Sequence, residues 1–377
     1  MKLSMFTVIR MDDIEAKEKL YELYKKIIND NETFISRIDE ILTLLNSNTP
    51  AQPTPSVQPE EPNIPLQEQI DKNDYVLIDG VYDVGSPLKL HSNMTIEFRQ
   101  GELIATEVMS AVLDGRECVN VTIKGEGKIQ ALGKAAIGVD FSFMDQIVTH
   151  NKIYDLKVFG ATDVGIDFTN NSEFLLSGQW EVNGAAFWAG VSPMRYSDYG
   201  LRVKNSGGQN TITGGSIQGC KKGDIYISGG TLKIFGGAFL TSYIPEHETS
   251  KDVKGNIVIE GNNAGISLYM YGSWFENNKR PNIFVNTTMF DIGVIDLYGV
   301  QMQNNGTPNI VGIKQMPTFK GIGYFNVFGG YMVSASPDPE YQIDAYIWVA
   351  AVYLGGSGNA TKGFLNTDKV ATIRHQV

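Results

Sequence analysis

Several kinds of chemistry find too few residues in this chain. Only two of its 377 residues are cysteine, Cys118 and Cys220. They lack CxxC spacing, so no disulfide framework is expected and both should be buried free thiols. Basic residues are outnumbered, with 31 Lys and Arg against 42 Asp and Glu and a formal net charge of −11. Phosphate backbones are held by clustered Lys and Arg, so the balance argues for no nucleic acid among the partners. The four histidines, His91, His150, His247 and His375, are scattered without metal spacing. The acidic stretch SPDPEYQID, with Asp338, Glu340 and Asp344, lacks the ligand spacing of a known calcium loop. No P-loop, GxSxG or GxGxxG-after-strand pattern occurs. The expectation is no metal and no cofactor.

Long apolar runs are also missing. None approaches the roughly 18 residues of a bilayer-crossing helix, so no membrane span is expected. The opening MKLSMFTVIRMDD is too short in its apolar part for a secretory signal. Asn93-Met94-Thr95 and Asn120-Val121-Thr122 therefore read as strand residues rather than glycosylation sites. Glycine, by contrast, is abundant at 40 residues and has no collagen period, so it reads as turns and bends.

The glycines punctuate a repeat. MYGSWFENN (Met270 to Asn278) and LYGVQMQNN (Leu297 to Asn305) say nearly the same thing, as do ITGGSIQGC, IFGGAFLTS and VFGGYMVSA. The anchors Gly214, Gly236, Gly272, Gly299 and Gly329 are 22, 36, 27 and 30 residues apart (236 − 214, 272 − 236, 299 − 272, 329 − 299). A second phrase, Asp or Asn before alternating β-formers, runs in step at Asp224, Asn256, Asn282 and Asn309. Positions two and four before the last four anchors are apolar (Leu232 and Ile234, Leu268 and Met270, Ile295 and Leu297, Phe325 and Val327), as is the third after all five (Ile217, Phe239, Phe275, Met302, Met332). Period two with one apolar face is a strand lying on a core. Short strands repeating at this interval form a solenoid, in which each unit buries its apolar face only by stacking on the next. The predicted fold is all-β, a parallel β-helix.

Two other regions precede it. Residues 1–48 include a 4-3 apolar seam at Leu20, Tyr24, Ile27, Asn31, Phe34, Ile38, Ile41 and Leu45. That spacing predicts an α-helical coiled coil, with Asn31 setting the register and two to four strands permitted. Residues 49–73 carry Pro50, Pro53, Pro55, Pro59, Pro62 and Pro65 and read as an extended, semi-rigid linker. Residues 74–377 form the β-helix domain. A helix held away by a spacer finds its partner on another chain, and the apolar Phe6, Val8 and Ile9 could anchor a larger assembly.

The β-domain opens YVLIDGVYDVGSPLKLHSNMTIEF, and Gly272 to Asn278 read GSWFENN. Both resemble bacteriophage tail spikes with the pectate-lyase-like, right-handed parallel β-helix. The domain order of coiled coil, linker and β-helix is similar too. The resemblance implies a homotrimeric receptor-binding spike or fibre that adsorbs to a bacterial surface polysaccharide. It implies attachment through the N-terminus to a portal, tail or capsid protein. The protein would be made in the host cytoplasm without a signal peptide and displayed on the virion. Two alternatives share the architecture. One is a glycan depolymerase, either hydrolase or lyase. The other is a capsid-attached head fibre or decoration protein with a structural stalk.

If the apolar column faces in, its neighbours face out. Phe235, Tyr271, Tyr298 and Phe328 then form an aromatic stripe, with Trp274, Gln301 and Tyr331 across the glycine. Such a face is either a trimer contact or a glycan-binding groove. Glycoside hydrolysis uses two carboxylates about 5 to 9.5 Å apart. The outward candidates are Glu276 and Asp296, and nothing else in the sequence marks either as catalytic.

Overall fold

The computed structural model describes residues 65–374, apart from 146, 187–193, 196, 205–207, 240–253, 262–264, 279–280, 288–291, 306–308, 313–321, 336–342, 345–346 and 354–369. The coiled-coil seam lies outside the described residues. The chain divides into two compact units, 1–63 and 64–377, and the second holds all the described residues.

Strands stack in three parallel sheets of twelve, ten and ten, consistent with a parallel β-helix. Successive strands go to the first, second and third sheet in turn, apart from the short parallel pair Ile147–Val148 with Asn171–Ser172 and the final strands Ile347–Tyr353 and Val370–Arg374, which both join the first sheet. Tyr75–Ile78, Val81–Val84 and Leu88–Lys89 make the first coil, and Thr95–Phe98, Glu102–Ala105 and Met109–Asp114 lie on them. One short antiparallel pair, Ala185–Ala186 with Met194–Arg195, stands outside the three sheets. No helix among the described residues is long and apolar enough to cross a membrane.

The core is a set of columns, one residue per coil. In the first sheet Ile96, Ile123, Ile153, Leu176, Ile212, Ile234, Met270, Leu297 and Val327 follow in register. All are buried. In the second sheet Ile217, Phe239, Phe275 and Met302 do the same. Cys118 and Cys220 are buried free thiols, and burial pushes the Cys118 thiol up to about 11. The phrase at Asp224, Asn256, Asn282 and Asn309 is a buried polar ladder at the start of third-sheet strands. Asn256 Nδ2 donates to Asp224 Oδ2 at 2.8 Å, and Asn282 Nδ2 to Asn309 Oδ1 at 2.5 Å.

The anchoring glycines form the corner between the first and second sheets. Gly236, Gly272, Gly299 and Gly329 have φ between 61 and 72°, and an added Cβ would meet nothing within 4 Å. Glycine is there for its backbone conformation alone. A second glycine column, Gly138, Gly165 and Gly200, has the opposite cause. A Cβ on each would lie 2.3 Å from Val158 Cγ1, Val182 Cγ1 and Ile217 Cγ2 in turn.

Two expectations need correction. Asn93 and Asn120 sit in left-handed turns just before their strands, at φ 65 and 57°, with Asn120 Nδ2 donating to Asn93 Oδ1 at 3.1 Å. A short polar side chain tolerates that conformation and bridges to the coil beside it. Residues 66–72, placed in the linker by the proline run, form the helix Leu66–Lys72 directly after Pro65. Leu66 and Ile70 are one helical turn apart and both join the core. The Gln67 amide donates to Lys89 O at 3.0 Å and accepts from Lys89 N at 2.8 Å. A side-chain amide thus takes the place of the next strand at the end of the third sheet, as a capping element must.

The two glycine columns predict different mutant behaviour. Gly165→Ala should cost about 1–3 kcal/mol through overpacking, and Gly165→Asn more. Gly299→Ala should cost about 1–2 kcal/mol through backbone strain, and Gly299→Asn should recover much of it. Denaturant unfolding of the four variants checks the contrast.

Candidate functional site

The residue before each corner glycine ends a first-sheet strand and points outward. Thr213, Phe235, Tyr271, Tyr298 and Phe328 are in register there. The four rings stack with centroids 4.8, 4.9 and 4.9 Å apart and planes within 8, 5 and 13° of parallel. That spacing is the distance between strands, so the backbone sets the stack. The faces of Tyr271 and Tyr298 are covered on both sides by neighbouring rings. The stripe therefore presents ring edges to the outside rather than four open faces. Phe235 ends the stack, with only Thr213 beside it, and is 41% exposed. Burial, then Asp296, raises the Tyr298 hydroxyl above its ordinary value.

Across the corner, Ser216, Ala238, Trp274, Gln301 and Tyr331 form the matching column. Trp274 is 41% exposed and is followed by the fully buried Phe275. Its register neighbours are Ala238 and Gln301. A methyl group covers little of an indole, so Trp274 and Phe235 together leave an open aromatic step on adjacent coils. Gln301 is exposed beside it. The side chains of Tyr331 and Glu276 lie outside the described residues.

The two candidate carboxylates stand on different sheets. Glu276 is in the second-sheet strand Trp274–Asn278, where the register shifts between Phe275 and Asn278. Asp296 is in the first-sheet strand Ile292–Tyr298, in register between Tyr269 and Asn326. It is 9% exposed and accepts a 2.6 Å hydrogen bond from Asn326 Nδ2. That carboxylate is engaged in a rung of the outer ladder.

The same corner holds a cleft on the N-terminal coils, with a volume of about 690 Å³. Gln100, Glu126, Lys128, Asp155, Lys157 and Gln179 line it. Gln100 and Asp155 occupy left-handed corner positions, with φ 56 and 58°, where later coils have glycine. Asp155 Oδ1 accepts from Gln179 N at 2.7 Å. Sequence reasoning missed these residues because the double-glycine phrase is absent from these coils. The available signal was the pair Lys128-Ile129-Gln130 and Lys157-Val158-Phe159, each opening a second-sheet strand.

A buried acidic column on the third sheet was also missed. Asp114, Asp140 and Asp167 are in register on successive coils. Each accepts from the backbone N–H two residues on, at Arg116, Ser142 and Thr169. Arg116 binds Asp114 through Nε at 2.8 Å and Nη2 at 2.6 Å, and Arg202 binds Asp163 and Asp167. The Arg116 hydrogen bonds hold the Asp114 carboxyl below its usual range, while burial pushes Asp140 up. Among the described residues, no group of three or more His, Cys, Asp or Glu could hold a metal ion.

Two tests follow from this geometry. Tyr298→Ala removes two stacked contacts and Phe235→Ala one, each worth about 0.5–1.5 kcal/mol. Thermal melting should therefore show Tyr298→Ala as the more destabilised. The second concerns Arg116→Gln. Asp114 has a folded pKa below its unfolded value, so its contribution is present above about pH 3.9 and lost as pH falls through the folded value. The substitution should cost about 1 kcal/mol at neutral pH, discounted for the half-exposed arginine. The gap between variant and wild-type midpoints should close in acid. No protein-family model matches the chain, and no curated protein matches it.

Proposed function

We propose that the protein is a virion-attached spike or fibre of a bacteriophage that binds a bacterial surface glycan along the glycine corner. The observation that carries this is the open aromatic step of Phe235 and Trp274, each 41% exposed, flanked by the Gln301 amide. Exposed aromatic faces stack on the apolar faces of pyranose rings, and adjacent amides bind their hydroxyls. A surface that repeats once per coil suits a ligand that is itself a repeating chain. In this reading the coil is right-handed, as parallel crossovers in one sheet almost always are. Residues 1–48 form a parallel coiled coil, the protein is a homotrimer, and its N-terminus attaches to a portal, tail or capsid protein. The resemblance of the opening strands and of GSWFENN to tail spikes supports this.

A subunit contact at the same face is the second reading, supported by the edge-on stack of Tyr271 and Tyr298. Trp274→Ala separates the two. Under the first reading it weakens binding of purified host surface glycan by at least about 2 kcal/mol and leaves the thermal midpoint unchanged. Under the second it lowers the midpoint and loosens the trimer in sedimentation. Wild-type binding and stability in the variant would defeat both. No reducing ends should be released from the glycan, since Glu276 and Asp296 stand on different sheets and Asp296 is engaged by Asn326. The peptide 1–48 should sediment as a helical oligomer, and a helical monomer at high concentration would refute the coiled coil.

A further inference from the structure

We propose that the N-terminal corner cleft is a subsite for an acidic saccharide, holding a single carboxylate between Lys128 and Lys157. The first observation is charge placement. Lys128 and Lys157 are directly in register on neighbouring coils, between Glu102 and Glu181. Like charges directly opposite on a sheet repel. Three lysines of the β-domain are neutralised by a carboxylate, Lys124–Glu97 at 2.7 Å, Lys222–Asp198 at 2.6 Å and Lys254–Glu260 at 2.6 Å. Lys128 and Lys157 make no such pair among the described residues. An anion set between the two ammonium groups would turn this repulsion into attraction.

The second observation is backbone conformation. The corner is glycine at Gly125, Gly178, Gly214, Gly236, Gly272, Gly299 and Gly329. Gln100 and Asp155 accept a left-handed conformation that disfavours a side chain, and both line this cleft. Side chains kept at such positions often mark function. Asp155 Oδ1 is occupied by Gln179 N, which fixes the carboxylate against the next coil.

The lining chooses among anions. Two lysines face two carboxylates, Glu126 and Asp155, so the wall is neutral in sum. A phosphate dianion would be repelled by the acidic side. A monoanionic carboxylate on a polyhydroxylated ring fits both sides. Its charge meets the lysines, and its hydroxyls donate to Glu126 and Asp155 and exchange hydrogen bonds with the Gln100 and Gln179 amides. The volume of about 690 Å³ is within the range of ligand pockets. The saccharide part of this inference rests on the proposed glycan function, whereas the anion part does not.

Calorimetric titration of the full chain with trigalacturonate, maltotriose and inorganic phosphate tests it. Trigalacturonate should bind, more weakly as salt rises, and at least tenfold more tightly than maltotriose. Lys128→Gln and Lys157→Gln should each weaken it about tenfold, Lys157→Arg should restore part of the loss, and Lys152→Gln, with the same charge change outside the cleft, should leave it unchanged. Unaltered thermal midpoints show that the variants are folded. Absence of trigalacturonate binding, equal binding by the Gln variants, or equal affinity for maltotriose would overturn the proposal. Lysine-dependent phosphate binding as tight as that of trigalacturonate would overturn its saccharide part. If trigalacturonate binds here as expected while host surface glycan does not bind the protein at all, the subsite stands and the glycan-adsorption reading falls.

Discussion

A parallel, in-register ladder places every side chain beside its counterpart one coil away, about 4.8 Å distant. This constraint governs the stacked strands of the described residues. Where like beside like is favourable, the columns reinforce the backbone. The aliphatic column from Ile96 to Val327 excludes water continuously, and the Phe235–Phe328 stack holds its rings at strand spacing. Buried amides also suit the arrangement, since an amide is both donor and acceptor, as between Asn282 and Asn309. Charges do not suit it. The acidic column of Asp114, Asp140 and Asp167 is accompanied by Arg116 and Arg202 and by backbone N–H donors. The lysines at 128 and 157 are adjacent in their column between Glu102 and Glu181, and neither makes an ion pair among the described residues.

The corner between the first and second sheets concentrates what the fold leaves open. Flat sheet faces cover their own side chains with neighbours above and below, but a corner splays its two flanking columns apart. Small residues there determine how much of a neighbour remains exposed. Ala238 beside Trp274 and Thr213 beside Phe235 end two columns of large side chains and uncover one aromatic on each side of the bend. At the N-terminal coils the same corner carries polar residues and widens into a cleft. The proposed binding face and the proposed anion subsite are thus stretches of one geometric feature.

A stacked solenoid also needs its ends closed, because a terminal coil exposes both its core and its unpaired backbone. The helix Leu66–Lys72 closes one end with two apolar side chains and one amide. Ile70 is fully buried although it lies in what the proline run marks as linker. Composition alone placed the boundary at Asp74, since a seven-residue helix has too few apolar positions for its periodicity to stand out.

How much was legible in the chain depends on whether a feature repeats along it or across it. Alternation and the recurring Gly phrase specified β-strands, their inward residues and the stacking of units, because period-two burial and the backbone demand at a bend are local. Leu232, Ile234, Phe239, Leu268 and Phe275 are all buried as their phrase positions require. The outward columns were legible too, as identities repeating at phrase positions. Which faces those side chains show was decided only by the tertiary structure. Ring planes lie parallel because coils stack in register, so Tyr271 and Tyr298 turn edges outward while Trp274 keeps an open flank. Glu276 and Asp296, twenty residues apart (296 − 276), were separated onto two sheets by a corner whose angle no local pattern encodes. The cleft residues, Gln100 through Gln179, come from several successive coils and share no phrase. Only the coil-to-coil register brings them together, and that register is a property of the stack rather than of any one repeat.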